Sequence, residues 1–167
     1  MLTKIKEVSP PRGLARLLFR LPIWLFRLHM GWLAGNRFLL LIHSGRKSGL
    51  PRQTVLEVLQ YDKASNTYAV LSGWGEKADW LRNIEKTPEV TLHVGRRHFQ
   101  ARATRLAVDQ AEEAILNYAR RNPLAIRVLP RMMGYRIDGT EEDIRALARL
   151  GIVITFVPTS SLLKEPS

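Results

Sequence analysis

Apolar residues along this chain gather in short blocks of strand length, separated by glycine, proline and polar turns. The unbroken run at 38–42 predicts a strand, and Gly45-Arg46-Lys47-Ser48-Gly49 follows it as a tight turn. A second strand is predicted at 54–59, a turn at 61–66 and a third strand at 67–71. Beyond the loop Ser72-Gly73-Trp74-Gly75 comes a short helical piece carrying Asp79, Trp80, Arg82 and Asn83. Pro88 then precedes strands at 90–94 and 97–106, joined through Gly95 and Arg96. The C-terminal third reads as helical. Asp109 with Glu112 three residues on has the capping-box arrangement, and Asn122-Pro123 stops that helix. A short helix at 124–133 ends at Gly134, and Thr140 with Asp143 caps a last helix over 141–150. Gly151 releases the chain into a strand at 152–157, closed by Pro158, and 159–167 reads as a loose tail.

The N-terminal pattern differs. Leu14, Leu17, Leu18, Leu21, Trp24, Leu25, Leu28 and Trp32 recur in steps of three and four, the spacing of one helix face. Pro22 bends or restarts that helix, and Arg12, Arg16, Arg20 and Arg27 form a separate basic stripe. The longest uncharged stretch is 28–36, too short to span a bilayer, and the arginines interrupt any signal-peptide core. Two readings follow for residues 12–33: packing on the body of the protein, or docking on an anionic membrane surface. The expected location is cytoplasmic, with the inner face of the membrane as the place of any docking.

Composition narrows the class. The 167 residues, 46% hydrophobic, suit one core, so a single domain is expected, with 1–36 as its basic helical segment, 37–158 as its body and 159–167 as its tail. No cysteine is present, which excludes disulfides, thiol catalysis and cysteine-ligated zinc. His29, His43, His93 and His98 have no ligand spacing, so no metal site is expected. Charge is uneven: residues 1–60 hold ten Lys/Arg against two acids, Glu7 and Glu57, out of a total net charge of +11. A basic first third implies an acidic ligand, an anionic membrane or nucleic acid. The aromatics do not interleave with the basic residues as stacking platforms do, so nucleic acid is not the expected partner.

The turn at 45–49 sits inside that basic third. Glycines at both ends allow positive φ, and successive amides can then face one concavity. Arg46 adds a planar fork, Lys47 a point charge and Ser48 a hydroxyl donor. Taken alone, the pentapeptide reads either as a phosphate or carboxylate cradle or as a solvated turn.

The order of GRKSGxPRxTxL, SGWG, DWLRN and TPEVTLHVG resembles the deazaflavin-dependent nitroreductase family, over about residues 38–106 and more loosely through 152–157. The resemblance implies a split β-barrel of the FMN-binding kind, an antiparallel Greek-key barrel with external helices. It implies an oxidoreductase moving hydride from a reduced 8-hydroxy-5-deazaflavin coenzyme (F-420 type) to a small acceptor such as a quinone, enone or nitro compound. Carried over by position, Gly45, Arg46, Lys47, Ser48 and Gly49 would hold the coenzyme's phosphate and acidic tail, with Arg52 extending the patch. Thr54, Val55 and Leu56 match the strand whose backbone lies along the ring. Ser72, Gly73, Trp74 and Gly75 match a loop near the coenzyme, with Trp74 better placed to line a pocket than to fill a core. Trp80 and Asn83 match a helical W-x-x-N element. Val55 stands where the family often has proline, and Gly73 where it often has lysine. No general acid or base can be placed, which suits a cofactor that carries the chemistry itself. The alternatives are an FMN-binding oxidoreductase on the same barrel and a non-catalytic carrier of a lipid or anionic ligand. No residue marks a dimer face.

Overall fold

Burial alternates along 89–94 and 97–102, whereas 39–41 and 68–70 are buried on both faces, and the strands that contain these residues close on themselves. The computed structural model describes residues 1–5, 7, 35–124, 130–131 and 134–159. Its strands are β1 (Thr3–Lys4), β2 (Phe38–Ser44), β3 (Pro51–Asp62), β4 (Thr67–Ser72), β5 (Glu89–Val94), β6 (Arg97–Arg105), β7 (Tyr135–Arg136) and β8 (Ile152–Pro158). Its helices are α1 (Asp79–Lys86), α2 (Val108–Arg121) and α3 (Glu141–Leu150), with a 3-10 turn at Gly75–Lys77. The expected helix over 12–33, most of the one over 124–133 and the tail beyond 159 lie outside the described residues.

The barrel order is β2-β3-β4-β8-β6-β5, antiparallel throughout. A meander, β2-β3-β4, is followed by a crossing to the β5-β6 hairpin on the far side of β2, and β8 closes the gap between β6 and β4. This is the split barrel anticipated from the sequence. Leu39, Leu41, Tyr68, Val70, Leu92, Phe99, Ile154 and Phe156 fill its interior. A second cluster lies outside it, where Leu59, Ala69 and Val153 meet Ala111, Ala114, Ile115 and Tyr118 of α2 and Ala148 of α3. At one end Tyr61 stacks on Tyr68 with ring centroids 4.4 Å apart, and Arg97 bonds the Tyr68 hydroxyl. At the other end α1 buries Trp80, Leu81 and Ile84 among the interior residues.

Several boundaries differ from the sequence expectation, each for a local reason. β2 runs on to Ser44 and β3 begins at Pro51, because Ser44 pairs with Pro51 directly across the turn. Proline is tolerated there as the first residue of a strand. The α2 capping box does not form. The helix starts at Val108 after an extended Ala107 without a side-chain cap, which puts Asp109 in the first turn. Glu112 reaches across to Arg145 at 3.2 Å and Arg149 at 2.9 Å instead, joining α2 to α3. The Thr140 cap does form, its hydroxyl accepting the Asp143 amide at 3.3 Å. The β1–β7 pair is new; at two residues each, these strands carry no periodicity to read.

Among the described strands the ladder is open along the start of β3. β4 pairs with β3 only from Val58 to Asp62, beyond a bulge, so Pro51–Glu57 is paired on its β2 side alone. The Val58 amide bonds the Arg37 carbonyl at 2.8 Å, which fixes the alternation. The main-chain groups of Gln53, Val55 and Glu57 therefore face away from β2, and no described strand pairs that edge.

Candidate functional site

Turn 45–49 and α1 stand at the same barrel end and are fastened together. The Arg46 amide and guanidinium Nη1 both donate to Asn83 Oδ1 at 3.0 Å, and its Nη2 pairs with Asp79 Oδ1 at 2.9 Å. Lys86 Nζ donates to the Arg46 carbonyl at 2.7 Å. Arg46 is thus a strut between turn and helix, where the family resemblance implied a contact to the coenzyme's phosphate and tail.

Inside the turn, the Gly45 amide donates to the Leu50 carbonyl at 2.8 Å and the Gly49 amide to the Gly45 carbonyl at 2.7 Å. The Leu50 amide donates to Ser48 Oγ at 3.3 Å. Only the amides of Lys47 and Ser48 are left without a partner among the described residues, and they are consecutive. The exposed Lys47 ammonium and Arg52 guanidinium flank them, and among the described residues no carboxylate lies within ion-pair distance of either. Two neighbouring N–H groups beside two cations are an arrangement that can hold an anion. The glycines serve differently from each other. Gly49 has φ +67°, as expected, but Gly45 does not take positive φ. Gly45 is required by crowding: a Cβ there would lie 2.9 Å from Ser48 Oγ and 3.4 Å from Arg52 Nε.

The other predicted residues divide by face. Thr54 and Leu56 point into the barrel, whereas Val55 points outward and offers its main chain to the open β3 edge. Ser72 is fully buried and donates to the Gly75 carbonyl at 2.9 Å, so it shapes its own loop. Gly75 takes φ +53°, and Gly73 has open space around it. Trp74 is half-buried and packs against the barrel core, immediately before the 3-10 turn at Gly75–Lys77. Trp80 is a core residue, and Asn83 is buried at 5% exposure.

The residue that sequence reasoning passed over is His43. Its place two after Leu41 in an inward-facing series was the available signal. It is 4% exposed, with Nδ1 3.1 Å from Asn83 Nδ2 and Nε2 3.4 Å from Thr54 Oγ1. Burial, and then the Arg52 guanidinium, push its pKa down to about 4, against a weaker opposite pull from Asp79. The unfolded chain takes up this proton below about 6.5 and the folded protein only near 4, so stability is fullest above pH 6.5 and falls as pH drops towards 4. His43 should account for a loss of about 2–3 kcal/mol over that window. Denaturant midpoints at pH 7 and pH 4.5 check this: His43→Leu should show a shallower decline than wild type, and equal declines would contradict it.

Two clefts, of about 270 and 400 Å³, run beside α2, and neither is lined by the turn. In the smaller, the Tyr118 hydroxyl donates to Glu57 at 2.8 Å, and burial followed by the Glu57 charge push its pKa up to about 12. Among the described residues no group of three or more His, Cys, Asp or Glu could hold a metal ion. No helix among them is long and apolar enough to cross a membrane.

Comparison with known proteins agrees with this geometry. An F420-H2 dependent reductase (FDR-A) superposes with TM-score 0.51 at 18% identity, covering 73% of this chain and 95% of that one. A protein of unknown function from Agrobacterium tumefaciens str. C58 gives TM-score 0.54 at 17% identity, over 93% of this chain and 59% of its own. A structure described as a domain-swapped dimer gives 0.53 at 15% identity, over 86% and 99%. At these identities the likeness establishes a shared fold. No curated protein matches. The profile of the F420H(2)-dependent quinone reductase family matches residues 27–128, which include the turn, the open β3 edge and α1, and the chain belongs to that family of deazaflavin-dependent reductases.

Proposed function

We propose that this enzyme transfers hydride from the reduced deazaflavin coenzyme to a small electron-poor acceptor of the quinone, enone or nitro class, with the coenzyme laid from the 45–52 turn along the open edge of β3. The observation that carries the reading is continuity. Among the described residues, the two amides and two cations without partners lie at the start of a seven-residue stretch, Pro51–Glu57, whose outer main-chain edge no described strand pairs. At about 3.3 Å per residue that edge runs for roughly 20 Å, the scale of a ring joined to a phosphate by a sugar-alcohol chain.

Each residue has a definite task in this arrangement. Lys47, Arg52, the Lys47 and Ser48 amides and the Ser48 hydroxyl bind the phosphate and acidic tail. The Val55 amide and carbonyl offer one donor and one acceptor to the polar edge of the ring, while Thr54 and Leu56 hold the strand in register from inside. Gly49 and Gly75 supply the backbone turns, with Gly73 leaving space beside them. Arg46 and Asn83 hold the turn against α1, and Trp80 anchors α1 in the core. Ser72 and Trp74 fix the neighbouring loop and shield the barrel end from water. When bound, the reduced coenzyme supplies the hydride. The cytoplasmic location and the approach of residues 12–33 to an anionic bilayer rest on the sequence alone, and a quinone acceptor that partitions into lipid is compatible with both.

FMN carries a phosphate without an acidic tail, so it would use fewer of these cations. Titrated separately at low salt, the deazaflavin coenzyme should bind more tightly than FMN. The gap should narrow as salt rises, since screening acts most on exposed charges. Tighter binding of FMN at low salt would move the enzyme to the flavin reading of this barrel.

A further inference from the structure

Behind the turn, inside the barrel end, runs a chain of polar side chains that anion binding alone does not require. Asn83 Oδ1 lies 3.0 Å from both the Arg46 amide and its guanidinium Nη1. Both groups only donate, so the atom between them is the amide oxygen, and the Asn83 nitrogen must face His43 Nδ1 at 3.1 Å. That nitrogen also only donates. His43 Nδ1 is therefore a lone pair, and the ring proton sits on Nε2, 3.4 Å from Thr54 Oγ1. The Thr54 hydroxyl accepts there, and no described residue accepts its own hydrogen. Every bond in the chain has a forced direction.

We propose that His43 is a positioning residue for the coenzyme site: as the Nε2–H tautomer it fixes the Asn83 amide, which aligns Arg46 and the turn. The inference rests on the reading of turn 45–52 as the anion site. The groups facing the imidazole are Thr54 and Arg52 from β3, and Asn83 and Asp79 from α1, with Arg46 behind Asn83. A proton on Nδ1 would set two donors face to face, and Asn83 would have to rotate and give up both Arg46 contacts. An apolar residue at 43 would leave the Asn83 amide nitrogen buried and unpaired.

The test uses His43→Leu, His43→Asn and Lys47→Ala, each titrated with the deazaflavin coenzyme at pH 7. Asparagine puts an acceptor near the position of Nδ1 and so retains the Asn83 bond. His43→Leu should weaken binding about tenfold, raising the coenzyme KM with kcat little changed, and His43→Asn should recover most of that loss. Amide exchange at Arg46 should quicken in the leucine variant alone. Long-range nitrogen–proton NMR of the wild type supplies a readout that needs no variant, and should show the Nε2–H tautomer. Leucine-variant affinity within about twofold of wild type overturns the proposal. So does an asparagine variant no better than leucine, or an Nδ1–H tautomer. If Lys47→Ala binds as wild type, the anion-site reading itself fails; if Lys47→Ala weakens binding and His43→Leu does not, only the role of His43 fails.

Discussion

Replacing Lys47 and Arg52 together with alanine is expected to weaken binding of the deazaflavin coenzyme by about 2–4 kcal/mol, two charge-assisted contacts, with little change in stability. Both cations are exposed and neither has an acidic partner among the described residues, so no described ion pair is lost with them. The pairing differs from the one that the sequence suggests. Arg46 looks equivalent to Lys47 in the linear motif, yet its guanidinium is committed to Asp79 and Asn83. Arg46→Ala would confound lost affinity with a loosened turn, whereas the Lys47/Arg52 pair separates them. Coenzyme titration beside a thermal melt makes the measurement. An affinity within threefold of wild type, with an unchanged melt, would place the phosphate elsewhere.

Leu81→Ala should produce the opposite signature. Leu81 is fully buried on α1, between Trp80 and the Asn83–Ile84 pair, where the helix closes the barrel. Truncating a buried leucine costs about 2–5 kcal/mol, and relaxation at a barrel mouth favours the middle of that range. For a chain of this size the melting temperature should fall by roughly 6–12 °C. Coenzyme affinity, measured well below the melt, should change far less than in the Lys47/Arg52 variant, because Arg46, Asp79 and Asn83 stay on the helix. An unchanged melting temperature would show that α1 does not close the barrel.

The barrel was legible because its strands are short apolar blocks bounded by glycine, proline or polar turns. The run beginning at Phe38, the Asp62–Asn66 turn and the Gly95 hairpin fall where those blocks begin or end. The cations of the turn were legible too, since Arg46, Lys47 and Arg52 lie within seven residues. Their division of labour was not. It depends on Asp79 and Asn83, more than thirty residues away, and helical spacing alone gave Asn83 no distinction from a packing residue. His43 was passed over because a lone histidine in an apolar strand has no spacing motif. Its meaning lies in the partners that β3 and α1 bring to it. The α2 capping box failed for a related reason: Glu112 had two distant arginines to choose over its own helix end.

The position of β8 between β4 and β6 also bears on how the enzyme is made. Tyr68–Ser72 waits for Ile152–Phe156, some eighty residues later, and until that strand arrives both neighbours have bare edges. A ribosome will have released the whole stretch proposed to bind the coenzyme, residues 45–83, long before the barrel that supports it can close. Pairings of such long sequence separation are slow to form, and open strand edges invite association with other chains in the interval. Yield of active enzyme should therefore be governed by the arrival of β8 rather than by the residues proposed to bind the coenzyme.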